Sequence, residues 1–217
     1  MKKQFQGDKK KGLSILGNLE LKLRSKLVPL VPKNIQTYHL TLMTILWSLI
    51  IVVSGFLAKY NINWLGLTSL MILFQYLTDL LDGEIGRQRK TGLIKWGFYM
   101  DHFLDYIFLC SILIGYSFLL SGNNIYILFF ILALFGAFMV NSFLSFAATN
   151  EFKISYLGIG PTEVRLIFII INSLIILFGK TYMAPALPLI LIFSLLGLIV
   201  TVYRTQKYLW KIDMNKK

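Results

Sequence analysis

The stretch from Asp79 to Asp105, DLLDGEIGRQRKTGLIKWGFYMDHFLD, sets the organisation of the whole chain. The protein has 10 Asp and Glu residues in 217, and this window contains five of them, namely Asp79, Asp82, Glu84, Asp101 and Asp105. Its flanks, SLMILFQYL before it and YIFLCSILIGY after it, are typical of membrane helices. A carboxylate at membrane depth costs about 2.5 to 3.5 kcal/mol on insertion scales, so such groups need partners and usually mark function.

The composition outside this window predicts an all-α, polytopic membrane helix bundle. Hydrophobic residues make up 56% of the chain and the mean hydropathy is +0.68, which excludes an ordinary soluble globule. Turn residues separate six apolar spans that can each cross a bilayer. We place these spans near His39–Leu57, Ile62–Leu81, Trp96–Leu120, Ile125–Ala148, Glu163–Phe178 and Ala184–Tyr203.

The net charge of +12 is distributed unevenly along the chain. If the six spans alternate in direction, 20 of the 22 Lys and Arg residues fall on one side of the membrane and 2 on the other. This is the positive-inside pattern, and it predicts that both termini and the acidic window are cytoplasmic, in a bacterial inner membrane. Anionic lipid is the partner that this charge requires, and nucleic acid is not needed.

The chain divides into three parts. Residues 1–35 form a basic cytoplasmic segment, in which Asn18–Pro32 (NLELKLRSKLVPLVP) mixes leucines with basic residues and predicts a helix lying on the membrane surface. Residues 36–205 form the six-helix membrane domain, and residues 206–217 form a second basic tail.

The aspartates of the window share helix faces in pairs. Asp79 and Asp82 are three residues apart at the end of the second span, and Asp101 and Asp105 are four apart near the start of the third. Small residues extend the same faces: Gly83, Gly86 and Gly97. We therefore expect two helices that face each other with carboxylates and bare backbone.

Four facing carboxylates with no matching buried cation repel one another, and this predicts a metal centre. Mg²⁺ prefers oxygen ligands and keeps positions for water and substrate phosphates. Two Mg²⁺ or Mn²⁺ ions can neutralise the four charges and hold a pyrophosphate. Arg87 adds a planar guanidinium suited to phosphate oxygens.

The window resembles the signature of the CDP-alcohol phosphotransferase family, DxxDGxxAR followed by GxxxDxxxD. Gly86 stands where the family usually has Ala, which exchanges one small residue for another. The match reads Asp79-x-x-Asp82-Gly83-x-x-Gly86-Arg87, nine residues, and Gly97-x-x-x-Asp101-x-x-x-Asp105.

The resemblance implies that an alcohol hydroxyl attacks the β-phosphorus of a CDP-linked donor and that CMP is released. By family analogy Asp79, Asp82 and Asp101 hold metal, while Asp105 completes the site and takes the hydroxyl proton. The analogy also implies a homodimer. The positions that lie along the CDP are Gly83, Arg87 and Gly97.

Two features are similar to the choline/ethanolamine phosphotransferase branch. His102 follows Asp101, and Tyr156–Gly179 resembles a glycine-then-TE stretch that opens a long apolar helix. In that case His102 or Glu163 acts as the base instead of, or with, Asp105. The alternative for Glu163 is a helix N-terminal carboxylate that the helix dipole favours. Arg165 fits either a phosphate ligand or a positive-inside charge.

Other readings stay open on the sequence alone. The same chemistry can use CDP-diacylglycerol as donor and a small polar alcohol as acceptor. An ion transporter is a distant alternative, but its acids would line a path across the membrane instead of clustering at one side. A non-catalytic scaffold has no use for four acids.

Overall fold

The computed structural model describes residues 10–11, 16–90, 92–153 and 160–215. Short 3₁₀ turns at Val28–Leu30 and Lys180–Tyr182 precede two of the helices, and the two-residue strands β1 (Lys10–Lys11) and β2 (Phe152–Lys153) pair in parallel. The α-helices in these residues are α1 (Gly17–Leu27), α2 (Thr37–Leu57), α3 (Trp64–Gln88), α4 (Ile94–Ser117), α5 (Asn124–Thr149), α6 (Pro161–Phe178) and α7 (Met183–Met214).

Six of these helices, α2 to α7, are long and apolar enough to cross a membrane. Their most apolar windows have mean hydropathies between 1.3 and 2.5 and contain few charges. Large apolar side chains lie on their outer surfaces, including Leu49, Phe130 and Phe193. The predictions of an all-α fold, of six spans and of a helix before the first span are confirmed, and the protein is a multi-pass membrane protein.

Helix α3 is longer than the predicted second span, which was expected to end at Leu81. It continues to Gln88, and its 25 residues extend about 37 Å, more than the roughly 30 Å of the hydrocarbon core. The first half of the acidic window therefore lies on a rigid helix and not in a loop. Helix α7 likewise runs to Met214, so the segment from residue 206 to residue 214 is helical.

Helix α2 packs along both α3 and α4 and forms the centre of the bundle. Helices α2 and α4 approach closely at Gly55 and Gly115, where a Cβ built on Gly55 would lie 2.5 Å from the Gly115 Cα. Small residues allow membrane helices to approach this closely. Helix α6 packs against α3, and α7 packs against α5. The two helices that carry the acidic window, α3 and α4, thus both lie beside α2, and α3 also contacts α6.

Several polar side chains inside the bundle form hydrogen bonds between helices, because lipid offers them no partners. Ser54 and Thr68 join α2 to α3 with 2.8 Å between their hydroxyl oxygens. Tyr116 donates to Asn172 Oδ1 at 2.8 Å, and the Asn172 amide donates to Ser69 at 3.0 Å. These contacts fix how each helix is rotated about its own axis.

The segment between α1 and α2 is held by the side chain of Arg89, the residue that directly follows α3. The Arg89 guanidinium donates to backbone carbonyls of four residues, Val31, Pro32, Lys33 and Ile35. The N-terminal segment is thereby tied to the end of α3 that carries the aspartates. The predicted tail before residue 10 and the Tyr156–Ile159 part of the glycine-then-TE stretch lie outside the described residues.

Candidate functional site

Three carboxylates from two helices meet at one end of the bundle. Asp79 of α3 and Asp101 and Asp105 of α4 each place one oxygen within 4.8 Å of the oxygens of the other two. All three residues are half-buried. Helix periodicity predicted which carboxylates share a face, and the packing of the bundle brings the two faces to a common point.

Arg165 of α6 bridges two of these carboxylates. Its Nη1 lies 3.0 Å from Asp79 Oδ2 and its Nη2 lies 3.1 Å from Asp105 Oδ1. Only 5% of Arg165 is exposed, so this is a buried guanidinium between two acids. The expectation that the acids have no matching buried cation is therefore wrong. The acidic window could not reveal Arg165, because this residue lies 60 residues after Asp105 in the chain.

Asp82 lies on the same helix as Asp79 but has different partners. Its Oδ2 accepts a hydrogen bond from Thr41 at 2.8 Å, and its backbone carbonyl accepts one from Thr37 at 2.7 Å. Asp82 is buried and does not belong to the group of three that surrounds a common point. Thr41 therefore holds the carboxylate of Asp82, while Thr37 holds its backbone carbonyl.

Gln75 is a residue of the site that the sequence analysis missed. It is 1% exposed, lies one helical turn before Asp79, and donates from Nε2 to Asp105 Oδ1 at 3.2 Å. A polar side chain four residues before the first aspartate of the window was the available signal. Its partner on α4 could not be inferred, because 30 residues separate the two in the chain.

His102 lies between the acid group and a cluster of phenylalanines. Its Nδ1 is 3.4 Å from Asp101 Oδ2, and its ring stacks on Phe152 with 4.6 Å between centroids and an angle of 19°. Phe98 meets the ring edge-on at 4.5 Å. The aromatic contacts fix the plane of the imidazole and direct Nδ1 toward Asp101.

Glu163 makes hydrogen bonds to the backbone at the start of α6. Its Oε2 accepts from Gly160 N at 2.8 Å, and its Oε1 accepts from Leu16 N at 3.2 Å. Thr162 donates to Glu20 of α1 in the same region. Helix α1 is therefore bound to the N-terminus of the helix that carries Arg165.

The residues expected along the CDP lie on the same two helices as the aspartates, Gly83 and Arg87 on α3 and Gly97 on α4. A Cβ built on Gly83 would lie 3.7 Å from Arg87 Nη1, and one built on Gly97 would meet no atom within 4 Å in the described chain. Arg87 itself is mostly exposed and pairs with Glu84, with 2.8 Å between Nη2 and Oε2. Two bare backbone positions and one exposed guanidinium thus flank the carboxylates.

The donor set fits a hard divalent cation. When all three carboxylates are ionised, they and the guanidinium have a combined charge of −2, and carboxylate oxygens are the ligands that Mg²⁺ and Mn²⁺ prefer. Asp79, Asp101 and Asp105 could hold such an ion from two rigid helices. The half-buried position keeps the site accessible to a phosphate group.

Comparison with known proteins agrees with this geometry. A family model described as CDP-alcohol phosphatidyltransferase matches residues 36–203. This range contains all six membrane helices up to the last third of α7, together with every aspartate of the site. No curated protein and no solved structure gives a significant match to the chain.

Proposed function

The chain belongs to the CDP-alcohol phosphatidyltransferase family, and from this premise we propose that it transfers a substituted phosphate from a CDP-linked donor to an alcohol. The acceptor hydroxyl oxygen forms a bond to the β-phosphorus, the bond from that phosphorus to the bridging oxygen breaks, and CMP leaves with the electron pair. The observation that carries the proposal is the convergence of Asp79, Asp101 and Asp105 within 4.8 Å.

We assign Asp79, Asp82, Asp101 and Asp105 to a site for two Mg²⁺ or Mn²⁺ ions. The bound ions would supply positive charge for the phosphate oxygens, which is the main requirement of phosphoryl transfer. The group of three is one ligand set. Asp82, held by Thr41, is the added ligand beside it.

The proton of the acceptor hydroxyl goes to Asp105 in this proposal. Gln75 and Arg165 both donate to its Oδ1, which supports a fixed carboxylate at that position. His102 is the alternative base, and its contact with Asp101 supports a role beside the metal ligands. Glu163 is the second alternative, although both of its oxygens accept backbone hydrogen bonds.

The CDP part of the donor is assigned to Gly83, Gly97 and Arg87, which lie near the aspartates along α3 and α4. Gly83 and Gly97 offer backbone without side chains, and Arg87 can turn from Glu84 to a phosphate. We keep Arg165 as a candidate phosphate ligand, since its guanidinium lies between Asp79 and Asp105. The lipidic substrate, donor or acceptor, enters from the surrounding leaflet.

The charge distribution supports an orientation with both termini and the site in the cytoplasm, in a bacterial inner membrane. We further propose a role in phospholipid synthesis, contact of the basic segments 1–35 and 206–217 with anionic lipid, and a homodimer by family analogy. Residues 36–205 form the catalytic domain in this proposal.

The test is release of CMP by the purified protein with Mg²⁺. CDP-choline and CDP-ethanolamine are supplied with diacylglycerol, and CDP-diacylglycerol is supplied with small polar alcohols. We expect one pair to release CMP and the Asp101→Asn variant to be inactive. The control is Asp213→Asn, which changes an exposed aspartate in the last turn of α7 and should retain full activity.

The panel also separates the alternatives. CMP from CDP-diacylglycerol with a polar alcohol would move the assignment to the second donor class. Ion flux through reconstituted vesicles, with no CMP from any pair, would contradict the enzyme assignment and favour a transporter.

A further inference from the structure

Gln75 is an uncharged amide buried in the middle of a membrane helix. It is 1% exposed, and its Nε2 donates to Asp105 Oδ1 at 3.2 Å. Arg165 Nη2 donates to the same oxygen at 3.1 Å. One carboxylate oxygen of α4 therefore receives hydrogen bonds from two other helices, α3 and α6.

The orientation of the amide follows from the chemistry of its partner. An ionised carboxylate only accepts hydrogen bonds, so the NH₂ group of Gln75 must face Asp105 and the carbonyl must point away. Within the part of the chain that the structure describes, Gln75 Oε1 is buried and has no hydrogen-bond partner. An unsatisfied buried acceptor costs free energy that an apolar side chain of the same length would avoid.

Ser48 of α2 lies at the same level of the bundle as Gln75. Thr41 is bonded to Asp82, and Ser48 is seven residues after Thr41, while Gln75 is seven residues before Asp82. In antiparallel helices these equal offsets place the two side chains opposite each other. Ser48 Oγ is also buried and lacks a partner among the described residues, so the polar interior continues below the acids.

We propose that Gln75 is a positioning residue that fixes the orientation of Asp105 for the phosphate transfer. A carboxylate is planar, so holding Oδ1 from two helices also fixes the direction of Oδ2. Groups that orient metal ligands in this way usually affect metal affinity and activity more than stability. This inference rests on the proposed function, because it assigns Asp105 a role that needs a fixed direction.

The test compares Gln75→Met with Gln75→Glu. Methionine keeps the length and removes both polar atoms, whereas glutamate keeps the shape and sets a second carboxylate against Asp105. We expect Gln75→Met to unfold at or above the wild-type temperature, with kcat for CMP release about 10–100-fold lower and KM for the donor within about threefold. The Gln75→Glu variant should lose more of its kcat than Gln75→Met does.

Metal binding gives a readout that does not depend on turnover. Titration with Mn²⁺, followed by electron paramagnetic resonance, should give an apparent affinity for Gln75→Met about 10-fold weaker than wild type. The matched control is Gln206→Met, which changes an exposed glutamine of α7 and should leave kcat and Mn²⁺ affinity unchanged.

Several results would overturn the inference. The first is a kcat of Gln75→Met equal to that of the wild type, whether or not KM is raised. The second is a loss of activity that is fully explained by a lower unfolding temperature. If the wild-type protein releases no CMP from any donor, the proposed function fails separately. In that case an Mn²⁺ affinity unchanged by Gln75→Met would also reject the positioning role.

Discussion

Arg165 Nη1 lies 3.0 Å from Asp79 Oδ2, and this ion pair joins α6, the fifth membrane helix, to α3, the second. The second nitrogen of the same guanidinium reaches Asp105 on the third membrane helix. Three helices are thus connected through one buried cation. Its single charge offsets part of the acid group and leaves the remainder for a divalent ion.

Removing that cation should damage both the fold and the site. Arg165→Gln would remove the cation that pairs with the half-buried Asp79 and Asp105, a change that costs up to about 3–5 kcal/mol in fully buried pairs. We expect a lower temperature of thermal unfolding in detergent and no CMP release. Arg165→Lys keeps the charge but loses the planar fork, so an intermediate result is expected.

The control for the arginine variants is Arg204→Gln, which changes an exposed arginine of α7 and should behave as wild type. An Arg165→Gln variant with unchanged unfolding temperature would show that the ion pairs with Asp79 and Asp105 do not stabilise the bundle.

Glu163 should act on helix α6 more than on the reaction. Glu163→Gln removes one of the two oxygens that accept from Gly160 and Leu16, and the expected loss of stability is that of a helix cap, about 0.5–2 kcal/mol. We expect kcat within about threefold of wild type. Asp105→Asn, measured in parallel, should abolish CMP release.

A loss of kcat in Glu163→Gln of about 10²–10⁴-fold, without loss of stability, would instead identify Glu163 as the base.

His102 should support Asp101 through its orientation. His102→Phe keeps an aromatic ring against Phe152 but removes the nitrogen that lies 3.4 Å from Asp101. We expect kcat and Mn²⁺ affinity to fall together, by about 10–100-fold, since ligand-orienting groups have effects of this size. A larger fall in kcat with unchanged Mn²⁺ affinity would assign the proton transfer to His102.

Gly55 should be intolerant of any side chain. In Gly55→Ala the new Cβ would lie 2.5 Å from the Gly115 Cα, which forces α2 away from α4. Overpacking of this kind costs about 1–3 kcal/mol, and we expect a lower unfolding temperature and reduced CMP release. Activity is expected to fall because α2 carries Thr41, the partner of Asp82, while α4 carries Asp101.

The matched control is Gly66→Ala, since a Cβ on Gly66 would meet no atom within 4 Å in the described chain. That variant should be neutral or slightly more stable, because alanine is the better helix former. Equal destabilisation of the two variants would contradict the expectation, because it would mean that the loss at Gly55 does not come from the contact with Gly115.

The sequence by itself determined the membrane class and the six spans, and the helical period predicted which aspartates lie on one helix face. These properties depend on hydropathy along the chain and on the 3.6-residue period, and both can be read within a single helix. The spacing of the aspartates and glycines was also sufficient to indicate the family, which the match over residues 36–203 confirms.

Only the tertiary structure decided which side chains meet the aspartates. Thr41, Gln75 and Arg165 are separated from their partners by 41, 30 and 60 residues, so no local pattern connects them. Those contacts depend on how each helix is rotated about its axis, and the rotation is set by close packing such as that of Gly55 on Gly115. The length of α3 was underestimated because its last turns are polar. In the structure they are helical, and Ile85 in them belongs to an apolar cluster with Val28 and Leu40.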